Sequence, residues 1–290
     1  MAVSQPERVV GRRRLLRWGA ALAGAAAARA ATGAAGRTAR AASVVDGQAW
    51  AMLVDITQCV GCRSCVFACQ EENGWKGDPE GQQLDGERWT AVREVAVKGS
   101  EEPRFVRTEC FHCLQPSCAD ACIVGALRKT AEGPVVYDAG KCIGCRYCMI
   151  ACPFQVPRYQ WDQTFPLVAK CDFCADRIAA GKQPACSEAC PTGATLFGRR
   201  DELVEQARAR LASEPDRYVQ HIYGLEEAGG TSWLFITDVP FEQLGFARVG
   251  TTPPPQRTRA WMQRVPAIAV GIAGLLAAAH VIEGRGGNHA

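Results

Sequence analysis

Hydrophobic and polar positions alternate along this chain in ways that predict several short strands and one surface helix. Period-two stretches in residues 89–97, the run 135–137 and the apolar residues 232–237 after a Gly-Gly pair predict strands. Residues 201–211 predict an amphipathic helix with four apolar side chains on one face, namely Leu203, Val204, Ala207 and Leu211. The mixture of short helices and strands leads us to expect an α+β fold.

The longest apolar stretch lies near the C-terminus. Residues 265–282 carry no charged side chain, and as a helix at about 1.5 Å per residue they would nearly span a hydrocarbon core of about 30 Å. Trp261 stands where an interfacial aromatic residue is expected. We predict a transmembrane helix here, with a buried core helix as the alternative. His280 within it could bind haem or make a polar contact with a partner helix.

Charge is distributed unevenly between the N-terminus and the rest of the chain. Eight Arg and one Glu give residues 1–41 a charge of +7, which leaves −4 for the rest of a chain whose total is +3. A mildly acidic body argues against a nucleic-acid partner. Arg12 and Arg13 precede two Leu and an Ala-rich run, as in a twin-arginine export signal with cleavage near residues 39–41. An Arg-rich tail without a targeting role is the alternative.

These features divide the chain into five predicted parts. They are a signal peptide at 1–41, a folded domain at 42–249, a proline-rich linker at 250–264, the transmembrane helix at 265–282 and a tail at 283–290. We expect the linker to be stiff and extended, because it contains three consecutive prolines.

All sixteen cysteines fall into four sequence quartets. In chain order the quartets are Cys59, Cys62, Cys65 and Cys69; Cys110, Cys113, Cys118 and Cys122; Cys142, Cys145, Cys148 and Cys152; and Cys171, Cys174, Cys186 and Cys190. The first and third have the C-x2-C-x2-C-x3-C spacing of bacterial ferredoxins, in which three thiolates bind one cubane and the fourth binds a neighbouring one. Gly61 and Gly144 suit the tight turn that this requires. At four thiolates each, the cysteines suffice for four [4Fe–4S] clusters.

Other interpretations of the cysteines are a disulfide framework and zinc sites, but tandem triplets are not a zinc pattern. A catalytic cluster would need a free iron, and the complete quartets argue against it. His112 could replace one cysteine as a ligand, although a role beside the cluster fits better. The sequence has no nucleophile–base pair and no Gly-rich nucleotide motif, so we expect no bond chemistry from this chain.

From residue 54 to about 239 the chain resembles the four-cluster ferredoxin-like subunits of respiratory oxidoreductases. The resemblance is carried by DITQCVGC at 55–62, CFHC at 110–113, CIGCRYC at 142–148 and CSEACPTGA at 186–194. Residues 221–231 and 239–242 make it most similar to the membrane-anchored subunit of hydrogenase-2-type enzymes. The formate dehydrogenase beta subunit is second.

The resemblance implies two ferredoxin-like double-cluster modules with β insertions, which exchange ligands between quartets. The implied ligand sets are Cys59, Cys62, Cys65 and Cys190; Cys69, Cys171, Cys174 and Cys186; Cys110, Cys113, Cys118 and Cys152; and Cys122, Cys142, Cys145 and Cys148. The chain departs from the family at Ile123, where a proline is usual.

The resemblance also implies partners and a place in the cell. Electrons would pass between an exported catalytic subunit and an integral membrane subunit that reacts with quinone, at the periplasmic face of the cytoplasmic membrane. The catalytic partner would be the large and small subunits of a [NiFe] hydrogenase. A formate dehydrogenase or another molybdopterin enzyme is the alternative.

Two sets of residues near the cysteines have expected supporting roles. Cations beside the ligands would tune cluster potentials, namely Arg63, Lys141, Arg146 and Lys170. Aromatic residues among the ligands would pack in the core and exclude water, namely Phe67, Phe111, Phe154 and Phe173.

Overall fold

The computed structural model describes residues 48–286. The predicted signal peptide and residues 287–290 lie outside this range. The strands are β1 (Trp50–Asp55), β2 (Ala91–Val95), β3 (Arg104–Thr108), β4 (Leu127–Lys129), β5 (Val135–Tyr137), β6 (Arg158–Tyr159), β7 (Val168–Ala169), β8 (Thr195–Arg199) and β9 (Trp233–Ile236). The helices are α1 (Ser64–Glu72), α2 (Ser117–Asp120), α3 (Tyr147–Ala151), α4 (Ala175–Ala179), α5 (Ala185–Glu188), α6 (Arg200–Ser213), α7 (Pro254–Met262) and α8 (Val265–Gly286). The fold is therefore mixed α and β, as predicted.

A three-stranded sheet joins the two ends of the described domain. Its central strand β1 pairs antiparallel with β8 and parallel with β9. All four residues of β9 are buried, which confirms the buried strand predicted at 232–237. The other strands pair as hairpins, β2 with β3, β4 with β5, and β6 with β7.

The two faces of this sheet pack against different partners. Leu53 and Leu234 point to one face, where they pack against the buried side of α6. The four apolar residues predicted for that helix face are all buried, so the predicted amphipathic helix is confirmed. Met52 and Trp233 point to the other face, where they pack with Phe173 and other residues of the cysteine-bearing loops.

The C-terminal segment differs in part from its prediction. Pro254 and Pro255 begin helix α7 instead of continuing an extended linker. Proline is tolerated there because the first turn of a helix leaves its N–H groups without helical acceptors. Helix α8 begins at Val265 and runs beyond residue 282 to Gly286. Within residues 48–286, the stretch Pro254–Ala277 is long and apolar enough to cross a membrane.

Candidate metal centres

The four C-x-x-C turns share one backbone feature. The residue before the second cysteine has a positive φ in each, at 70° for Gly61, 45° for His112, 70° for Gly144 and 68° for Phe173. The expectation for Gly61 and Gly144 is therefore confirmed. No sequence pattern indicated that His112 and Phe173 adopt the same conformation, because residues larger than glycine rarely do.

This conformation turns a backbone N–H toward a thiol. The N–H of Gly144 lies 3.5 Å from Cys142 Sγ, and that of Phe173 lies 3.3 Å from Cys171 Sγ. The backbone N–H of Gly61 likewise hydrogen-bonds to Cys59. Iron–sulfur sites need such donors, because hydrogen bonds to their sulfurs stabilise the bound anion and tune its potential.

The first and third quartets also begin alike. The Asp55 carboxylate accepts a hydrogen bond from the Thr57 N–H at 3.1 Å, and Asp138 accepts one from the Gly140 N–H at 3.0 Å. Each aspartate starts a single 3₁₀ turn that delivers the first cysteine of its quartet. The sequence folds this way because an aspartate side chain readily caps the exposed N–H groups of such a turn.

Thiols from different quartets come together in the structure. One cavity is lined by Cys59, Cys62 and Cys65 together with Cys190 from the fourth quartet. We call these four cysteines group A.

Two further groups are defined by thiols close enough to influence one another electrostatically. Cys69 lies near Cys174 and Cys186, and Cys171 lies near Cys69 and Cys186. We call Cys69, Cys171, Cys174 and Cys186 group B, following the ligand set that the resemblance implies. Cys113 lies near three thiols, and together they form group C, namely Cys110, Cys113, Cys118 and Cys152.

The remaining four cysteines form group D, namely Cys122, Cys142, Cys145 and Cys148. The last three lie near the hydroxyl of Tyr159, which is 3.4 Å from Cys148 Sγ. Cys122 and Cys142 pack against the apolar cluster that contains Cys148.

The chemistry of these groups fits iron–sulfur clusters. All sixteen cysteines lie in the described residues and none forms a disulfide there. Burial raises the pKa of Cys65 and of Cys118 to about 12, so a bare thiolate at either position would be unfavourable at neutral pH. Bound iron would supply the missing positive charge and keep the thiols deprotonated.

The arrangement fits a single metal ion less well. Across residues 48–286, no three His, Cys, Asp or Glu side chains are placed to hold one metal ion. Zinc requires its thiolates to converge on one point, whereas a cubane offers each thiolate its own iron.

Three partly or fully buried cations lie beside the cysteine groups, and the sequence identified only one of them. Lys170 is buried and donates to the Cys171 carbonyl at 2.8 Å. Lys129 donates to the His112 carbonyl at 2.9 Å, and burial lowers its pKa to about 8. Arg107 is also buried and lines the group A cavity. Nothing in the sequence pattern distinguished Lys129 or Arg107 from surface cations.

The other three proposed tuning cations are engaged elsewhere. Arg63 pairs with Glu80 at 2.8 Å, although it also lines the group A cavity. Lys141 pairs with Asp138 at the surface. Arg146 lies 4.4 Å above the Trp161 ring.

His112 is placed as a packing residue, not as a ligand. It is fully buried, its ring stacks on Phe173 at 4.8 Å, and its Nδ1 accepts a hydrogen bond from the Val135 N–H at 2.9 Å. Burial and the nearby Lys170 lower its pKa, which keeps the ring neutral. The proton then lies on Nε2, so neither nitrogen has a lone pair free for a metal.

The aromatic residues behave as expected with one exception. Phe173 is buried, and Phe111 stacks on Phe154 at 4.1 Å. Phe67 is 52% exposed, so the expectation that it packs in the core was wrong. Phe67 lies on the outer side of α1. The cysteines before and after it, Cys65 and Cys69, are four residues apart and share the inner side of that helix.

Comparison with known proteins adds independent information. Residues 102–200 match the family described as the 4Fe-4S dicluster domain. A protein of Nitratidesulfovibrio vulgaris is 41% identical over 235 residues, which are 77% of this chain and 63% of that protein. The chain thus spans less than two thirds of the length of this relative.

Two other relatives carry functional names. The hydrogenase-2 operon protein HybA of Escherichia coli O157:H7 is 35% identical over 238 residues, which are 68% of this chain and 73% of that protein. The iron-sulfur subunit of the nitrate-inducible formate dehydrogenase of Escherichia coli K12 is 35% identical over 199 residues, which are 64% of this chain and 67% of that subunit.

Proposed function

Because the chain belongs to the family of iron–sulfur electron-transfer subunits of the hydrogenase and formate dehydrogenase type, we propose that it is a relay carrying four [4Fe–4S] clusters. One cluster would be held by each of groups A, B, C and D. Each cluster, when bound, would take up and release one electron. The chain itself would supply the thiolates, the N–H donors and the exclusion of water.

The observation that supports this proposal best is the order of the four groups. Cys65 of group A lies near Cys186 of group B. Cys171 of group B lies near Cys110 of group C. Cys118 of group C lies near Cys148 of group D. This succession supports a path in the order A–B–C–D.

The exposure of the thiols fits such a path. The two exposed cysteines are Cys62 in group A and Cys145 in group D, at the two ends. Buried cysteines occur in both inner groups, for example Cys171 in B and Cys110 in C. Exposed ends would admit and release electrons, while a buried middle would keep water from the inner sites.

The repeated Asp-capped turns support two ferredoxin-like double-cluster modules. One module would consist of groups A and B and the other of groups C and D. In this arrangement the fourth ligand of each site comes from the partner quartet of the same module.

The second module lies next to the C-terminal helices. Gln256 of α7 donates to the Gln115 side chain at 3.2 Å, and Arg259 pairs with Asp120 of α2. Asp120 stands between Cys118 and Cys122 in the sequence. We therefore propose that α8 anchors the chain in a membrane with group D at that end, facing a quinone-reactive membrane subunit. The export signal proposed at 1–41 would put the domain on the periplasmic face.

The proposed catalytic partner is a [NiFe] hydrogenase, and the greater coverage of the hydrogenase-2 operon relative favours it. A formate dehydrogenase or another molybdopterin enzyme is the second candidate, favoured by the iron-sulfur subunits found at 34–35% identity.

The direct test is a metal analysis of the native complex. The full chain, tagged at its C-terminus, would be purified from mildly solubilised membranes. We expect at least about sixteen iron atoms per copy of this chain, with any iron of the catalytic partner added to them. Nickel in the complex would identify the hydrogenase partner, whereas molybdenum or tungsten would identify the molybdopterin enzyme. A colourless chain without iron would contradict the proposed function.

The sharing of ligands between quartets has its own test. Under the proposed groups, Cys190→Ser and Cys59→Ser should alter the EPR signal of the same cluster. If each quartet held its own cluster, Cys190→Ser would instead affect the signal that Cys171→Ser affects. Ser187→Ala is the control, because its hydroxyl donates to the Pro184 carbonyl at 2.9 Å and not to a thiol.

A further inference from the structure

Arg107 is a fully buried arginine near the end of strand β3. Its side chain is 3% exposed and forms an ion pair with Glu109, whose Oε2 lies 2.7 Å from Arg107 Nε. Nη1 donates to the Thr195 hydroxyl at 3.3 Å, and the guanidinium lies 4.7 Å above the Trp233 ring. Burying an arginine is unfavourable unless its charge and its donors are used.

The guanidinium lies beside two of the cysteine groups. Arg107 Nη2 is buried and has no hydrogen-bond partner among residues 48–286. The side chain lines the cavity of group A and also lies beside the Cys186 thiol of group B. Arg107 therefore lies where the two groups meet.

The positive end of the ion pair is the end nearer the thiols. Arg107 lines the group A cavity, whereas Glu109 is not among the residues that line it. The pair as a whole therefore presents positive charge to both groups.

We propose that Arg107 is a shared positioning residue that raises the reduction potentials of the clusters in groups A and B together, with Glu109 holding it in place. This inference rests on the proposed function, because it requires clusters in both groups. A cation near a cluster stabilises the reduced form, which carries one more negative charge. One side chain would in this way keep the potentials of two neighbouring clusters close to each other.

The test compares cluster potentials in purified full-length variants by EPR-monitored redox titration. The main variant is the double substitution Arg107→Gln and Glu109→Gln, which leaves no unpaired buried charge. We expect at least a tenfold fall in the ratio of reduced to oxidised cluster at a fixed potential, equal to about 59 mV for a one-electron couple. Two of the four clusters should shift, and the other two should not.

Two further variants separate charge from structure. Arg107→Lys keeps the positive charge but loses the planar set of donors. The two cluster potentials should therefore fall less in this variant than in the double variant. Arg104→Gln is the matched control, because Arg104 lies on the same strand and pairs with Asp238 at 2.6 Å, outside the group A cavity. It should leave all four potentials unchanged.

The outcomes distinguish this inference from the proposed function. A wild-type chain without iron would overturn both. Unchanged potentials in an iron-loaded double variant would overturn this inference alone. Loss of iron from the double variant, with iron retained by Arg104→Gln, would assign the pair a purely structural role and would also overturn it.

Discussion

Gly61 and Gly144 occupy equivalent places in two turns of the same conformation, yet their surroundings differ. A Cβ atom at Gly61 would lie 2.4 Å from Cδ1 of the Phe105 ring. A Cβ atom at Gly144 would meet nothing within 4 Å. Both glycines have a φ of 70°, so alanine meets the same backbone penalty at either position. Only alanine at position 61 would also clash with the Phe105 ring.

Gly61→Ala should therefore destabilise the protein more than Gly144→Ala. The left-handed backbone costs each variant about 1–2 kcal/mol, and only Gly61→Ala adds the clash with Phe105. Thermal unfolding and iron content of the two variants, measured side by side, provide the comparison. We expect iron to be lost first from Gly61→Ala.

The cause is tested by removing the ring. Adding Phe105→Ala to Gly61→Ala should bring its unfolding midpoint closer to that of Phe105→Ala alone. Equal losses in the two glycine variants would show that the Phe105 ring moves aside.

At this scale the sequence pointed to the thiols as ligands but missed two of the cations beside them. Cysteine spacing is a local signal, and the two glycines follow from the turn that it requires. Strand β3 contains both Arg104 and Arg107, and nothing local distinguishes them. Only tertiary packing makes Arg107 buried while Arg104 stays near the surface.

The two Asp-capped turns allow a comparison between whole elements. Asp55 is buried, and its Oδ2 accepts hydrogen bonds from Arg210 Nη1 at 2.9 Å and from the Tyr218 hydroxyl at 2.8 Å. Asp138 caps the matching turn at the surface and pairs with Lys141. The first turn is thus tied to α6 and the loop after it, whereas the second is held only locally.

Asp55→Asn should be the more damaging of the two cap substitutions. It removes the charge from a buried network, at a cost of about 3 kcal/mol in the free energy of unfolding. Asp138→Asn should cost clearly less, because solvent already screens its ion pair. Denaturant titration of both variants measures the difference, and equal losses would mean that the Arg210 and Tyr218 contacts contribute nothing.

Elements with a local signal were the ones that the sequence predicted. Helix α6 and strands β2, β5 and β9 each carry their hydrophobic period within a few residues. The parallel pairing of β1 with β9 joins residues far apart in the sequence, so no local pattern indicated it. The proline run misled the prediction because proline suits the first turn of α7 as well as an extended linker.

For the whole molecule, the anchoring and electron-transfer parts are expected to be separable. The side chains of residues 265–277 in α8 are all exposed, with Val270 at 74% and Leu275 at 73%. Deleting residues 265–290 leaves α7 and its contacts with α2 intact. The shortened chain should leave the membrane fraction and keep its iron.

Centrifugation of membranes and iron analysis of both fractions test this expectation. Attaching an unrelated transmembrane helix after residue 264 should return the chain to the membrane. Loss of iron on deletion would contradict the separation of the two parts.

The pairing of β1 with β8 and β9 has a consequence for biosynthesis. Strand β1 is complete at Asp55, but β9 ends only at Ile236. At about 5–20 residues per second, a ribosome needs on the order of ten seconds or more to make the intervening chain. Throughout that interval the central strand has no complete sheet to join.

Groups C and D are in a different position during synthesis. Their cysteines all lie between Cys110 and Cys152, whereas group A requires Cys190 and group B requires Cys186. A nascent chain can therefore bring the cysteines of groups C and D together while groups A and B still lack members. The thiols that emerge from the ribosome first are the last to be enclosed.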